Sequence, residues 1–123
     1  MIEYEETSLA IDLKYYRMRI YRTTLQGIGK PQYIQFLVNP LKKTMGIRAA
    51  ENMKMPDQTC RIDWEQLENI SYIEIKSKRF LQALCAGIAG MEEGKSYKLS
   101  GVIIPDESMV VFSLPGKTPG GEE

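Results

Sequence analysis

The chain has 123 residues, 43% hydrophobic and 26% charged, with sixteen basic and sixteen acidic side chains that cancel; these are the proportions of an ordinary globular domain with a single core, too short for two. Histidine is absent, which excludes Ser-His-Asp and Cys-His nucleophilic sites, His-liganded metals and histidine pH switches. A metal would have to be held by carboxylates.

Residues 1–12 read as an acidic leader, with Glu3, Glu5, Glu6 and Asp12 and no base; within it "SLAIDL" is a candidate ordered piece. The opening "MIEYEE" carries acids where an export signal would carry positive charge. The domain proper is expected over 13–114. From Lys14 to Thr24, β-branched and aromatic residues alternate with period two and predict a first strand. "QYIQFLV" and "KTMGIRA" predict the second and third, joined through the turn-forming Asn39-Pro40 pair. Ile34, Phe36 and Val38, and then Met45, Ile47 and Ala49, mark their core faces.

After the loop "AENMKMPDQ", where Met53 and Met55 cap the core edge or meet a partner, a fourth strand is expected at "TCRIDW" with Cys60, Ile62 and Trp64 on one side. "EQLENI" reads as a brief helical turn and "SYIEIK" as a fifth strand with Ile73 and Ile75 inward. The clearest helix runs from about Lys78 to Ala89. Ser77 stands at its N-cap, Phe80, Leu81, Leu84, Cys85 and Ile88 form an apolar stripe, and Gly90 stops it. Two last strands, "SYKLSGVII" and "MVVFSL", flank the turn sequence "PDES". The tail 115–123, rich in Gly and Pro, is expected to be disordered.

The resulting class is α+β: mainly antiparallel sheet of about seven strands with one main helix, 78–89, packed on a face. The order also reads as a weak duplication in which "TLQGIGKP" stands where the second half has its helix. No run approaches the roughly 18 to 20 apolar residues of a membrane-spanning helix. Cys60 and Cys85, both read as core-facing, fit reduced thiols in a cytoplasmic protein with no membrane partner.

Motifs for chemistry fail at required positions. A phosphate-binding loop needs G-x-x-x-x-G-K-[ST]; "TLQGIGKP" puts Thr24 at the first glycine and Pro31 at the hydroxyl, and "VFSLPGKT" puts Val111 at the first glycine. No nucleotide cofactor is expected. Tyr72 and Lys76 share the Y-x-x-x-K spacing of short-chain dehydrogenases, but on a strand pattern and without the glycine-rich loop. Glu92-Glu93 and Asp106-Glu107 fall in turns, where acids are solvated. The expectation is a protein that is not an enzyme and holds no cofactor or metal.

Charge, by contrast, is unevenly placed. From Leu13 to Ala50 there are eight basic residues and no acid, a pattern that suits a polyanionic partner. On the first predicted strand Met18 and Ile20 face the core, leaving Tyr15, Arg17, Arg19 and Tyr21 outward. Guanidinium forks pair with phosphates and tyrosine rings stack on bases or cover sugars, so this face is a candidate nucleic-acid surface. It is also what a solvated strand needs, because basic and aromatic residues are good strand formers and blunt an edge.

The phrases "RIYRTTLQGIGKPQYIQFLVNPLKKTMGIRA", "SYIEIKSKRFLQALCAGI" and "SYKLSGVIIPDESMVVFSL" resemble a group of small uncharacterised proteins of Gram-positive gut anaerobes, over about residues 14 to 114; the resemblance implies no activity. The element order is similar to the domain of DNA sliding clamps, with paired strand-helix-three-strand units. That resemblance implies a homo-oligomeric ring facing DNA with helices, for which Lys78 and Arg79 at the helix start and Lys30 in the first connection are the candidates. The sequence thus points to a DNA-binding homo-oligomer, with edge-strand protein interaction as the alternative.

Overall fold

The computed structural model describes residues 6–52, 58–88 and 90–115. Eight strands form one antiparallel sheet: β1 (Glu6–Asp12), β2 (Arg17–Tyr21), β3 (Tyr33–Asn39), β4 (Thr44–Ala50), β5 (Thr59–Arg61), β6 (Tyr72–Lys76), β7 (Ser96–Ile104) and β8 (Met109–Ser113). A short helix α1 (Arg22–Gly27) follows β2, and the main helix α2 (Lys78–Gly87) follows β6. The spatial order is β5-β3-β4-β8-β7-β1-β2-β6, and the sheet curls into a half-barrel around the core.

The α+β class stands, with eight strands in place of seven. The additional strand is β1. The acids of the first twelve residues, two of which (Glu6 and Asp12) bound the strand, masked a period-two pattern in which Leu9 and Ile11 are fully buried, and β1 lies inside the sheet, paired over seven residues with β7 and over four with β2. The acidic leader of the sequence reading is therefore, over residues 6–12, a central strand.

Strand β2 is shorter than the pattern suggests. Asp12 accepts the backbone N–H groups of Lys14 and Tyr15 at 2.8 and 3.2 Å, and Tyr16 takes a left-handed φ of 56°. Together they make Leu13–Tyr16 a turn, so Tyr15 lies off the strand. β2 has β1 on one side and β6 on the other, which rules it out as an edge. The edges are β5 and β6.

The first connection holds α1, in the place that matches α2. Ser77 occupies the N-cap position of α2 without a side-chain capping bond, and the helix ends at Gly87, earlier than Ala89. The fourth strand shrinks to Thr59–Arg61, although Cys60 still stands opposite Ile34 and Ile62 is buried. "PDES" becomes a 3-10 turn with Ser108 in the left-handed region. The Met53 and Met55 loop, Ala89 and the tail from Gly116 lie outside the described residues.

The order strand-helix-strand-strand occurs twice, as β2-α1-β3-β4 and β6-α2-β7-β8. Outward from the β4–β8 junction, β3 matches β7 and β5 matches β1, while β2 and β6 lie side by side. The sheet thus has a topological twofold in which the N-terminal strand β1 takes beside β7 the position that β5 takes beside β3.

The inner face carries the core: Leu9 and Ile11, Met18 and Ile20, Ile34 and Phe36, Met45 and Ile47, Leu99 and Ile103, and Val110 and Phe112. α2 closes it with Phe80, Leu81 and Leu84, Phe80 packing on Phe36 at 5.4 Å between ring centroids. α1 adds Leu25, and the buried Thr24 hydroxyl meets that of Thr7. Gly101 is required by close approach, because a Cβ there would fall 2.4 Å from the ring of Phe112 and 2.7 Å from the Val111 carbonyl. Cys60 and Cys85 are free thiols against the core, and burial pushes both thiol pKa values up. Among the described residues no helix is long and apolar enough to cross a membrane.

Candidate nucleic-acid interface

With odd residues of β1 buried, even ones face outward, and cross-strand register converts this alternation into a grid. One row runs Lys98, Ala10, Arg19, Glu74 across β7, β1, β2 and β6; the next runs Ser96, Asp12, Arg17, Lys76. Above the first row stand Ser100, Ser8, Tyr21 and Tyr72. The sequence-predicted Arg17, Arg19 and Tyr21 do share this outer face, on a strand flanked by partners the sequence did not reveal.

Ala10 puts only a methyl group between the long side chains of Arg19 and Lys98, with Ser96 beside it. The result is a hollow of about 410 Å³ over Ala10, walled by Asp12, Arg17, Arg19, Glu74 and Lys98 and floored by strand backbone at Ile11 and Met18. The four cations of the two charged rows (Lys98, Arg19, Arg17, Lys76) outnumber the two carboxylates (Asp12, Glu74).

Those carboxylates hold the arginines in place. Arg17 Nε donates to Asp12 at 3.2 Å, and Glu74 lies 3.8 Å from Arg17 and 3.4 Å from Arg19. Each side chain is a quarter to two-fifths exposed, so each pair contributes at most about 1 kcal/mol. Burial alone would raise the Asp12 pKa, but the backbone N–H donors of Lys14 and Tyr15 and the Arg17 guanidinium outweigh it and hold the carboxyl below its ordinary value. Asp12 is thus an ionised acceptor at neutral pH, unsuited to donating a proton.

Aromatic rings rim the same face. The Arg19 guanidinium lies 4.2 Å from the Tyr72 ring centroid, Tyr72 meets Tyr21 edge to face at 6.4 Å, and Arg17 lies 5.1 Å from the ring of Tyr15. Tyr15, 58% exposed, joins the face from the Leu13–Tyr16 turn.

The three other predicted contacts are placed differently. Lys78 opens α2 beside this end of the sheet, where Ser77 N–H bonds the Tyr16 carbonyl and the Lys78 ammonium lies 5.8 Å from the Tyr16 ring. The Tyr16 hydroxyl donates to Glu93, which raises its pKa. Arg79 is exposed on the first turn of α2. Lys30 lies beyond the far end of β2, past α1, with its ammonium 5.3 Å from the Trp64 ring.

The basic run from Leu13 to Ala50 does not fold into one patch. Arg22 donates to the carbonyls of Leu67 and Ile70, Lys42 and Lys43 sit at the β3–β4 turn, and Arg48 bonds Gln35 on the other half of the sheet. Tyr72 and Lys76 both face outward on β6 with Glu74 between them, the geometry of a strand face and not of a helical acid-base pair. At Gly29-Lys30 the chain turns back to cap α1, Lys30 N–H bonding the Leu25 carbonyl, and no helix follows. The Gly116-Lys117-Thr118 sequence lies outside the described residues. No group of three carboxylates or thiols able to hold a metal occurs among the described residues.

Sequence reasoning missed Ala10, Asp12, Glu74 and Lys98. The "SLAIDL" alternation carried the signal for the first two; Lys98 is brought in only by the β1–β7 register. No family model, no curated protein and no solved structure matches the chain.

Proposed function

We propose that the chain is a non-catalytic module that binds nucleic acid through the outer face of β7-β1-β2-β6 and works as a homo-oligomer. The observation that carries this is the grouping of Arg17, Arg19 and Lys98 around one hollow, with the Tyr15 ring against Arg17, the Tyr72 ring against Arg19 and Tyr21 beside Tyr72 on the same face. Phosphates take the guanidinium and ammonium groups, and exposed rings pack against sugars and bases. The repeated strand-helix-strand-strand order supports a likeness to sliding-clamp domains at the level of element order alone. In that likeness DNA would meet Lys78, Arg79 and Lys30, yet Lys30 is separated from the other two by the length of β2, so the sheet face is the better surface.

Homo-oligomerisation is supported by the open edge of β6. Two β6 strands paired antiparallel with Glu74 opposite Lys76 would exchange two ion pairs and extend the sheet. The same edge supports a second reading, a protein-interaction module without nucleic acid. In it β6 is the edge that pairs with another chain, in place of the first predicted strand.

The test is binding of labelled DNA followed by anisotropy at low and moderate salt, with light-scattering mass on the same samples. Arg17→Ala with Arg19→Ala should weaken binding at least tenfold and flatten the dependence of log K on log salt by roughly 1 to 2. Arg48→Ala, on the other half of the sheet, should change neither. Affinity and slope unmoved in the double variant would refute the surface. A stable dimer whose mass ignores DNA would favour the second reading.

A further inference from the structure

We infer that the Ala10 hollow takes one unpaired nucleobase, so that the ligand of this face is single-stranded nucleic acid and not a duplex. The inference rests on the reading of the face as a nucleic-acid surface and adds the form of the ligand and the place of one base.

Width argues first. Four strands at about 4.8 Å spacing span roughly 14 Å before side chains are added, against a major groove of about 12 Å that admits a helix or a two-stranded ribbon. The face therefore meets a duplex only at its phosphates. A hollow in its centre would then stay empty.

The lining argues second. Ala10 stands directly between Arg19 and Lys98 in the register, and alanine is a poor strand former on an outer face, where β-branched or long residues are favoured. Its single methyl leaves a floor of apolar and backbone atoms under walls of opposite charge. A lone phosphate gains nothing from that floor and is repelled by Asp12 and Glu74. A purely apolar group would bury the charged walls against nothing. A heteroaromatic base attached to a phosphate answers both: its face lies on the floor and against the Arg17 or Arg19 guanidinium plane, its amino edge donates to Glu74, and its phosphate reaches Lys98. The volume of about 410 Å³ sits at the small end of ligand pockets, about 300 to 1,000 Å³, and admits a single base. In a duplex that base edge is already paired.

The experiment uses the full chain and four probes: a dye-labelled single-stranded 12-mer, the same strand as a duplex, a 12-mer of abasic sites, and a nucleoside monophosphate. The intact strand should bind at least tenfold more tightly than the abasic strand and the duplex, and the monophosphate far more weakly than any 12-mer. Ala10→Leu, which fills the hollow, should lower affinity for the intact strand to the abasic level while leaving abasic affinity and salt slope unchanged. If Ala10→Leu does not fold, the wild-type Ala10 methyl resonance decides: ring-current shifts with the intact strand and none with the abasic strand are expected. Equal binding of intact and abasic strands, preference for the duplex, a monophosphate binding as tightly as the 12-mer, or an Ala10→Leu variant with undiminished affinity each overturns the inference. If only the arginine double variant loses binding, the nucleic-acid reading survives and the hollow does not. No binding of any 12-mer at low salt removes both.

Discussion

Two hollows of similar size open on the outer face, one over β7-β1-β2-β6 and one over β5-β3-β4, and their chemistry differs. The hollow over Ala10, about 410 Å³, carries Arg17, Arg19 and Lys98 against Asp12 and Glu74. The second, across β3, β4 and β5, about 470 Å³, has among the described residues Arg48 as its one cation, beside Glu51 and Glu107. There Arg48 Nε donates to the amide oxygen of the buried Gln35 at 2.9 Å, so the guanidinium is committed to holding two strands together. Volume therefore does not distinguish a binding surface from a structural recess. The sign of the charge does.

The largest perturbation would remove what the two regions share. Phe112 is fully buried on β8, the strand beside the β4–β8 junction, and packs over Gly101. Phe112→Ala should cost about 3 to 5 kcal/mol, with Trp64 fluorescence near β5 and tyrosine near-UV dichroism melting together. Two separated transitions would mean that the halves fold independently, and the comparison would become one between two domains. Gly101→Ala acts at the same place from the other side. Its Cβ meets a carbonyl oxygen as well as a ring, so the backbone must shift, at about 1 to 3 kcal/mol. A denaturant midpoint unchanged by that substitution would show that Phe112 swings away freely.

The inner face was legible in the sequence and the outer site only in part, for one physical reason. Burial imposes a local period, so Met18 and Ile20 inward and Arg17, Arg19 and Tyr21 outward follow from β2 itself. What surrounds those arginines depends on pairings across long sequence separations: Ala10 opposite Lys98, Arg19 opposite Glu74. No local pattern encodes such register. Alternation continues through Tyr15 and predicts strand there, whereas the Asp12 turn and the left-handed Tyr16 hold the strand back to Arg17. Lys30 shares the basic run of the sequence with Arg17 and Arg19, from which α1 separates it. β1 itself was readable from Leu9 and Ile11, but acids at the surface positions disguised a strand as a leader.

Glu74 sharpens the comparison by charge alone. It is the carboxylate shared by Arg17 and Arg19, so Glu74→Gln should release both cations toward a polyanion while changing stability by no more than about 1 kcal/mol for each of the two pairs. Affinity for an abasic 12-mer should rise about three- to tenfold, or about 0.7 to 1.4 kcal/mol, and the salt slope should steepen. Glu107→Gln at the second hollow should leave both unchanged. Equal gains at the two sites would indicate that net charge alone matters and that the Ala10 face has no special role.

The smallest expected effect is also a test of how the face is organised at rest. Asp12 is lowered in pKa because, against the opposing effect of burial, the ionised form accepts two backbone N–H groups and faces Arg17. A carboxyl that is more acidic in the folded chain than in the unfolded one stabilises the fold above its unfolded pKa, and that contribution fades as pH falls through the folded pKa. Asp12→Asn keeps an acceptor for the turn but loses the charge. Urea unfolding at pH 7, 5 and 3 should therefore show the variant less stable by under about 1 kcal/mol at pH 7 and the two proteins converging at pH 3. If burial governed instead, the folded carboxyl would bind its proton more readily than the unfolded one, and acidification would widen the gap in favour of the wild type. Convergence would thus place the turn and Arg17, and not desolvation, in control of the charge at the rim of the hollow.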